Sequence, residues 1–176
     1  MEKILGNIIE ACRRGSISAQ MKLYGKYAQK LYAACLRIVG NKAEAEEAMQ
    51  DSFLKIFSKI DQYKTEQNFE AWMQRIAVHT AIDYVRRQSP DFEELPYNLQ
   101  EEEDDNDEAD LELAVEQIKL AAQKLPPGYR TVLSLYLFEG YDMDEISAIL
   151  KIQPPSVRTQ YLRAKRKLLE SLTAKA

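Results

Sequence analysis

The side chains best suited to chemistry stand near the end of the chain. Between residues 156 and 168 lie Arg158, Arg163, Lys165, Arg166 and Lys167, with no acid among them. Val157, Tyr161, Ala164, Leu168 and Leu172 recur at helical spacing and form one apolar stripe. Ser156, Thr159, Arg163 and Arg166 fall on the opposite side of the same helix. A guanidinium is a planar fork that grips a guanine edge or a phosphate at two points. In a DNA-reading helix the N-terminal residues meet base edges and the basic residues further along meet phosphates. The plain alternative is a solvated basic face on a helical bundle. A second stripe, Arg75, His79, Ile82 and Arg86, follows the same helical spacing over residues 69–87.

Other chemistries find little support. One histidine and two isolated cysteines, Cys12 and Cys35, supply no zinc or Cys-His constellation. No GxSxG, GxxxxGK[ST] or GxGxxG string occurs. Carboxylates crowd together only in one acidic stretch, where nothing would fix their geometry for acid–base work. The expectation is a non-enzyme without metal or cofactor. Both cysteines read as small buried apolar residues in a reducing cytoplasm. No run approaches the roughly 20 apolar residues of a membrane span, and the first residues lack the pattern of a secretory signal.

The net charge of −4 over 176 residues conceals a pattern. Residues 1–90 carry 14 basic and 10 acidic side chains, residues 91–117 carry 13 acidic and no basic ones, and residues 118–176 carry 10 basic and 5 acidic ones. Two mildly basic blocks thus flank an acidic segment whose charges repel and which has little to bury. That segment reads as a flexible linker, helical again from about residue 110. With 45% apolar residues, the blocks can build cores of their own.

Those blocks read as helices throughout, with no useful strand pattern. Leu23, Tyr27, Leu31, Ala34, Cys35 and Ile38 line one face over residues 20–39, and Gly40-Asn41, both tolerant of a left-handed cap, should end that helix. Ala45, Ala48, Met49, Phe53, Ile56, Phe57 and Ile60 line a face over residues 44–60. Asn68 is a candidate N-cap for a helix over residues 69–88, and Pro90 marks its end. Further on, helices are expected over residues 111–124 and 129–139. Asp142 and Glu145 resemble a capping box for a short helix over residues 143–150, with Ile146, Ile149 and Leu150 inward. Pro154-Pro155 then opens a helix over residues 155–172. Short helix, tight turn, second helix is the helix-turn-helix arrangement. The expected fold is all-α: two small helical domains joined by an acidic flexible linker, the C-terminal one a helix-turn-helix.

The string LPPGYRTVLSLYLFEGYDMDEISAILKIQPPSVRTQYLRAKRKL resembles the promoter-reading C-terminal domain of bacterial sigma factors in the extracytoplasmic-function (ECF) group. LYGKYAQKLYAACLRIVGNKAEAEEAMQDSFLKIFSKIDQY and FEAWMQRIAVHTAIDYVRR resemble the other domain of that family. Two ordered matches, over residues 23–87 and 125–169, are more specific than a lone helix-turn-helix. The resemblance implies a sigma subunit that brings core RNA polymerase to a subset of promoters and helps open them. Its domains would be 1–90, for polymerase binding and the minus-ten element, the linker 91–117, and 118–176, for the minus-thirty-five element. Its partners would be core polymerase, promoter DNA as duplex and as opened strand, and an anti-sigma factor.

Residue by residue, the resemblance implies polymerase contacts at Gln50, Asp51, Phe53 and Lys55. Phe53 also sits on the apolar face, so core packing competes for it. For the minus-ten element it implies Tyr63, Arg75, His79, Asp83 and Arg86, with the loop 61–69 and the following helix holding an extruded base. Tyr63 is then a wall of the base pocket, and Trp72 and Ile76 face the core. Many relatives carry Asn where this chain has His79, which leaves base preference open. For the minus-thirty-five element it implies Ser156, Arg158, Thr159, Leu162, Arg163, Arg166 and Lys167. The acidic linker is a solvated tether, a stand-in for RNA in a basic channel, or a screen for the basic helix. The competing readings are a stand-alone helix-turn-helix regulator and a helical protein-binding adaptor. The discriminating feature is the FLKIF segment together with residues 72–87, which a simple regulator would not need.

Overall fold

The computed structural model describes residues 2–88 and 115–174. The chain divides into two compact units, Met1–Val85 and Arg86–Ala176. The acidic linker expected over 91–117 lies outside the described residues as far as 114, and residues 115–117 already belong to a helix. No strand occurs among the described residues.

The first unit begins with a helix that the sequence reading did not assign, α1 (Glu2–Arg13). Its signal was present: Leu5, Ile8, Ile9 and Cys12 recur at helical spacing, and Ile9 and Cys12 are buried. Next, α2 (Ile17–Val39) is capped by Ser16, whose hydroxyl accepts from the Ala19 N–H at 3.3 Å. All six apolar residues expected on its inner face are buried. Gly40 ends it at φ 79°, a left-handed position that costs a side chain about 1–2 kcal/mol. Asn41 does not share that conformation. At φ −119° it caps the following helix instead, its side chain accepting from the Glu44 N–H at 3.2 Å.

That helix, α3 (Lys42–Ser58), is antiparallel to α2 across the short Gly40-Asn41 connection and buries Ala45, Ala48, Met49, Phe53 and Ile56. Ser52 is buried with them, its hydroxyl donating to the Ala48 carbonyl at 2.6 Å. A 3-10 turn (Ile60–Gln62) and a loop lead to α4 (Phe69–Gln88). Asn68 caps α4 as expected, accepting from the Ala71 N–H at 3.0 Å. Leu23, Leu31, Ile38, Ile56 and Met73 are fully buried in this unit. Each such side chain contributes about 1.5–3 kcal/mol.

The second unit holds α5 (Val115–Gln123), α6 (Pro127–Leu137), α7 (Met143–Leu150) and α8 (Pro154–Thr173). Its core joins Ala121, Ala122, Leu125, Leu133, Ala164 and Leu168, with Ile118, Tyr129, Tyr161 and Leu172 packed against them. Arg130 is 8% exposed and donates to the Leu125 carbonyl at 3.0 Å, which ties the turn before α6 to the helix. Asp142 and Glu145 form the expected capping box in both directions. Ile146 and Leu150 are buried, whereas Ile149 is only half-buried.

Candidate nucleic-acid interface

The turn between α7 and α8 is short because Lys151 takes the left-handed conformation at φ 56°. The Ser147 hydroxyl donates to the Ile152 carbonyl at 2.6 Å and closes the turn. Pro154 then starts α8 in its first turn, where a missing N–H costs nothing. Val157, Ala164 and Leu168 are buried as expected, joined by Gln160 at 2% exposure. Tyr161 is half-buried against Tyr136, with ring centroids 4.6 Å apart. Burial, and secondarily Tyr136, hold the Tyr161 phenol above its ordinary pKa.

This seating fixes the outer face of α8. Arg158, Arg166 and Lys167 are exposed, and Ser156, Thr159, Leu162 and Arg163 are half-exposed. All seven residues expected on the DNA side lie outside the buried stripe. The Thr159 hydroxyl donates to the Pro155 carbonyl at 3.0 Å and keeps its lone pairs for acceptance. Lys167 stands 5.9 Å from the Tyr129 ring centroid. The surface is thus an amphipathic helix held by its apolar stripe, with Arg158 and Arg163 in its N-terminal half.

On α4, Arg75 and His79 are exposed, while Asp83 and Arg86 are half-buried. Ile82 does not belong to this open stripe: it is 2% exposed, beside the buried Val78, Ala81 and Val85. The stripe drifts around the helix and crosses the edge of the buried face. Trp72 and Ile76 are half-buried rather than fully inward, and Trp72 stacks on Phe69 at 5.7 Å.

Two expected contact residues are core residues. Tyr63 is 6% exposed, against Phe69 at 4.9 Å and Trp72 at 5.5 Å, so its ring is no open wall. Its hydroxyl donates to the Gln67 carbonyl at 2.7 Å. Burial pushes the phenol above its ordinary pKa; Arg13 partly opposes this and Glu66 adds to it. Phe53 is 3% exposed, between Tyr24 and Phe57. An aromatic ring on the apolar stripe of α3 is worth more in the core than in water.

The polar members of that group behave differently. Gln50 is exposed on α3, beside Leu54 at 68% exposure, a residue the sequence reading passed over. Asp51 accepts from the Tyr84 hydroxyl at 2.7 Å. Lys55 donates to the Thr80 hydroxyl at 3.1 Å and lies 3.7 Å from the Asp83 carboxylate. The structure therefore brings the α3 group and the α4 group together through Asp51–Tyr84 and Lys55–Asp83. No cluster of side chains suited to a metal ion occurs among the described residues.

These features define a class: helical proteins with a basic helix-turn-helix in one unit and a polar, basic helix face in the other. Comparison with known proteins narrows it. The family model of Sigma-70 region 2 matches residues 23–90, and that of Sigma-70, region 4 matches residues 115–168. The ECF RNA polymerase sigma factor SigW of Bacillus subtilis (strain 168) is 29% identical, over 98% of this chain and 98% of its own length. The ECF sigma factor SigE of Mycolicibacterium smegmatis is 31% identical, over 86% of this chain and 60% of its own. The fold is shared with CnrH, solved with the cytosolic domain of CnrY, at TM-score 0.53 and 19% identity over 96% and 97% of the two chains. It is also shared with the sigma factor RpoE of Bartonella quintana, solved with the anti-sigma factor NepR, at TM-score 0.55 and 17% identity over 89% and 98%. The chain belongs to the sigma-70 family, and the curated relatives SigW and SigE are named ECF sigma factors. It is a transcription initiation factor and not an enzyme.

Proposed function

We propose that this chain directs core RNA polymerase to a subset of promoters, reading the minus-thirty-five element through α8 and the opened minus-ten element through α4 and the loop before it. The observation that carries this reading is the outer face of α8. Arg158 and Arg163 stand in the N-terminal half of this proline-started helix, with no acid between residues 154 and 169. Arg158, Thr159, Leu162 and Arg163 are assigned to base edges, and Ser156, Arg166 and Lys167 to phosphates.

On α4, Arg75, His79 and Arg86 meet the opened strand. Asp83 acts through Lys55, and Tyr63 supports the loop from beneath instead of stacking on a base. Gln50 and Leu54 form the polymerase-facing part of α3, with Phe53 setting the rotation of the helix. Asp51 and Lys55 brace α3 against α4.

No helix among the described residues is long and apolar enough to cross a membrane. The working place of the chain is the cytoplasm, where polymerase acts. CnrH is solved with the cytosolic domain of CnrY and RpoE with the anti-sigma factor NepR, and an anti-sigma partner is part of this proposal too. Run-off transcription with core polymerase on a randomised promoter library tests the whole reading. Enrichment of a two-part motif supports it; transcripts that match those of core polymerase alone sink it.

A further inference from the structure

We infer that Arg13, at the end of α1, is a positioning residue for the promoter-reading loop, holding that loop in its reading shape from a helix that precedes the matched segment. The inference rests on the assignment of the loop to the minus-ten element. Residues 1–22 lie outside the matched region 2, which begins at residue 23.

The loop between the 3-10 turn and α4 leaves residues 64–68 exposed. Its far end is secured by its own chemistry. The Gln67 N–H donates to the Lys64 carbonyl at 3.0 Å, the Tyr63 hydroxyl donates to the Gln67 carbonyl at 2.7 Å, and Asn68 caps α4. Its near end is held by α1. Arg13 Nη2 donates to the Tyr63 carbonyl at 2.7 Å, and Arg13 Nε reaches the Ile60 carbonyl at 3.4 Å. The third face of the guanidinium pairs with Glu10, one turn back on the same helix. Only 24% of the Arg13 side chain is exposed.

One planar fork thus spans two carbonyls three residues apart, while an ion pair fixes its own orientation. Lysine has a point charge and cannot reproduce that bridge. The Tyr63 ring beneath the loop adds a rigid floor against Phe69 and Trp72. Extruding a base costs a few kcal/mol. A loop that had to be ordered at the same moment would add its own conformational entropy to that cost. Arg13 removes much of this second cost by ordering the loop in advance.

The test uses the full chain with core polymerase and three variants: Arg13→Ala, Arg13→Lys, and four glycines in place of residues 64–67. Permanganate reactivity of the opened strand is followed on promoters that differ at single minus-ten bases. Core-polymerase affinity and the thermal midpoint are measured alongside. Arg13→Ala is expected to lower open-complex formation by roughly tenfold, the scale of a lost charge-assisted hydrogen bond, and to flatten discrimination between bases. Arg13→Lys is expected to keep the parental core affinity and thermal midpoint while discriminating poorly. Parental opening and discrimination in Arg13→Ala would overturn the inference. If Arg13→Ala unfolds, Arg13→Lys decides, and parental discrimination in that variant overturns the inference as well. The glycine replacement separates the two levels. If it leaves base discrimination intact, the loop assignment itself falls; if it alone removes discrimination, only the role of Arg13 falls.

Discussion

Arg163 and Lys167 lie one helical turn apart on α8 and are expected to fail differently when removed. Arg163→Ala should cost roughly 1–3 kcal/mol on specific duplex and relax selectivity at one base pair. Lys167→Ala should weaken specific and scrambled duplexes alike and flatten the salt dependence by about one phosphate contact. Titrations on both duplexes at several salt concentrations distinguish these outcomes, and equal losses from the two variants would remove Arg163 from base readout. Tyr63 makes a prediction in pH. Its folded pKa is raised, chiefly by burial, so folding favours the neutral phenol. The stability this contributes is complete below the unfolded value of about 10 and drains as pH rises through the higher folded value. Urea unfolding of the parent and of Tyr63→Phe, compared between neutral and strongly alkaline pH, should show a steeper alkaline loss in the parent. Parallel losses would mean that Tyr63 does not carry this dependence.

At the scale of elements, the helix-turn-helix depends on two small local choices. The capping box satisfies backbone donors at the start of α7, and Asp142→Ala should cost about 1 kcal/mol. Lys151 holds φ 56° at the turn, a conformation that side chains resist. Lys151→Gly should therefore stabilise the unit by about 1 kcal/mol. Thermal midpoints of the two variants should move in opposite directions. On α3 the outward residues Gln50 and Leu54 can be changed without touching the brace to α4. Gln50→Ala with Leu54→Ala should weaken binding to core polymerase by about tenfold, in line with loss of one or two interface anchors. Duplex binding through α8 should be unaffected. Unchanged affinity in a pull-down with core polymerase would take these residues out of the interface. Asp51→Ala is a poorer probe, because it also releases the Tyr84 hydroxyl.

For the whole molecule, the proposed reading makes promoter recognition and promoter opening separate events with separate surfaces: the basic face of α8 is assigned to closed duplex, and the α4 face to contacts that form only when a base leaves the stack. His79→Ala should therefore reduce open-complex formation more than initial duplex binding, and His79→Asn should shift the preferred minus-ten base while leaving the fold intact. Permanganate footprinting beside a duplex-binding assay reads both steps. Normal opening with unaltered preference in both variants would reduce His79 to a surface residue and leave the base to the loop.

Periodicity alone determined most of the helices and their inner faces, because burial of an apolar stripe is a local pattern repeated along the chain. Leu23 to Ile38 on α2 and Val157 to Leu168 on α8 are cases where spacing and burial agree. The turn chemistry of Asn68, Asp142 and Glu145 was equally legible, since a cap is satisfied by residues three positions away. Family membership was legible too, from two ordered strings. What only the tertiary structure decided is the fate of residues at the margins of those stripes. Phe53 and Tyr63 could have faced a partner, but their rings gain more from aromatic neighbours supplied by other elements. Ile82 left the open stripe because its neighbours on α4 lie inside. Leu54 gained interest only once its exposure was known. The bonds of Arg13 to Ile60 and Tyr63 join residues 47 and 50 positions apart. No local pattern encodes such a pairing, because it exists only after α1 has packed beside the loop it holds.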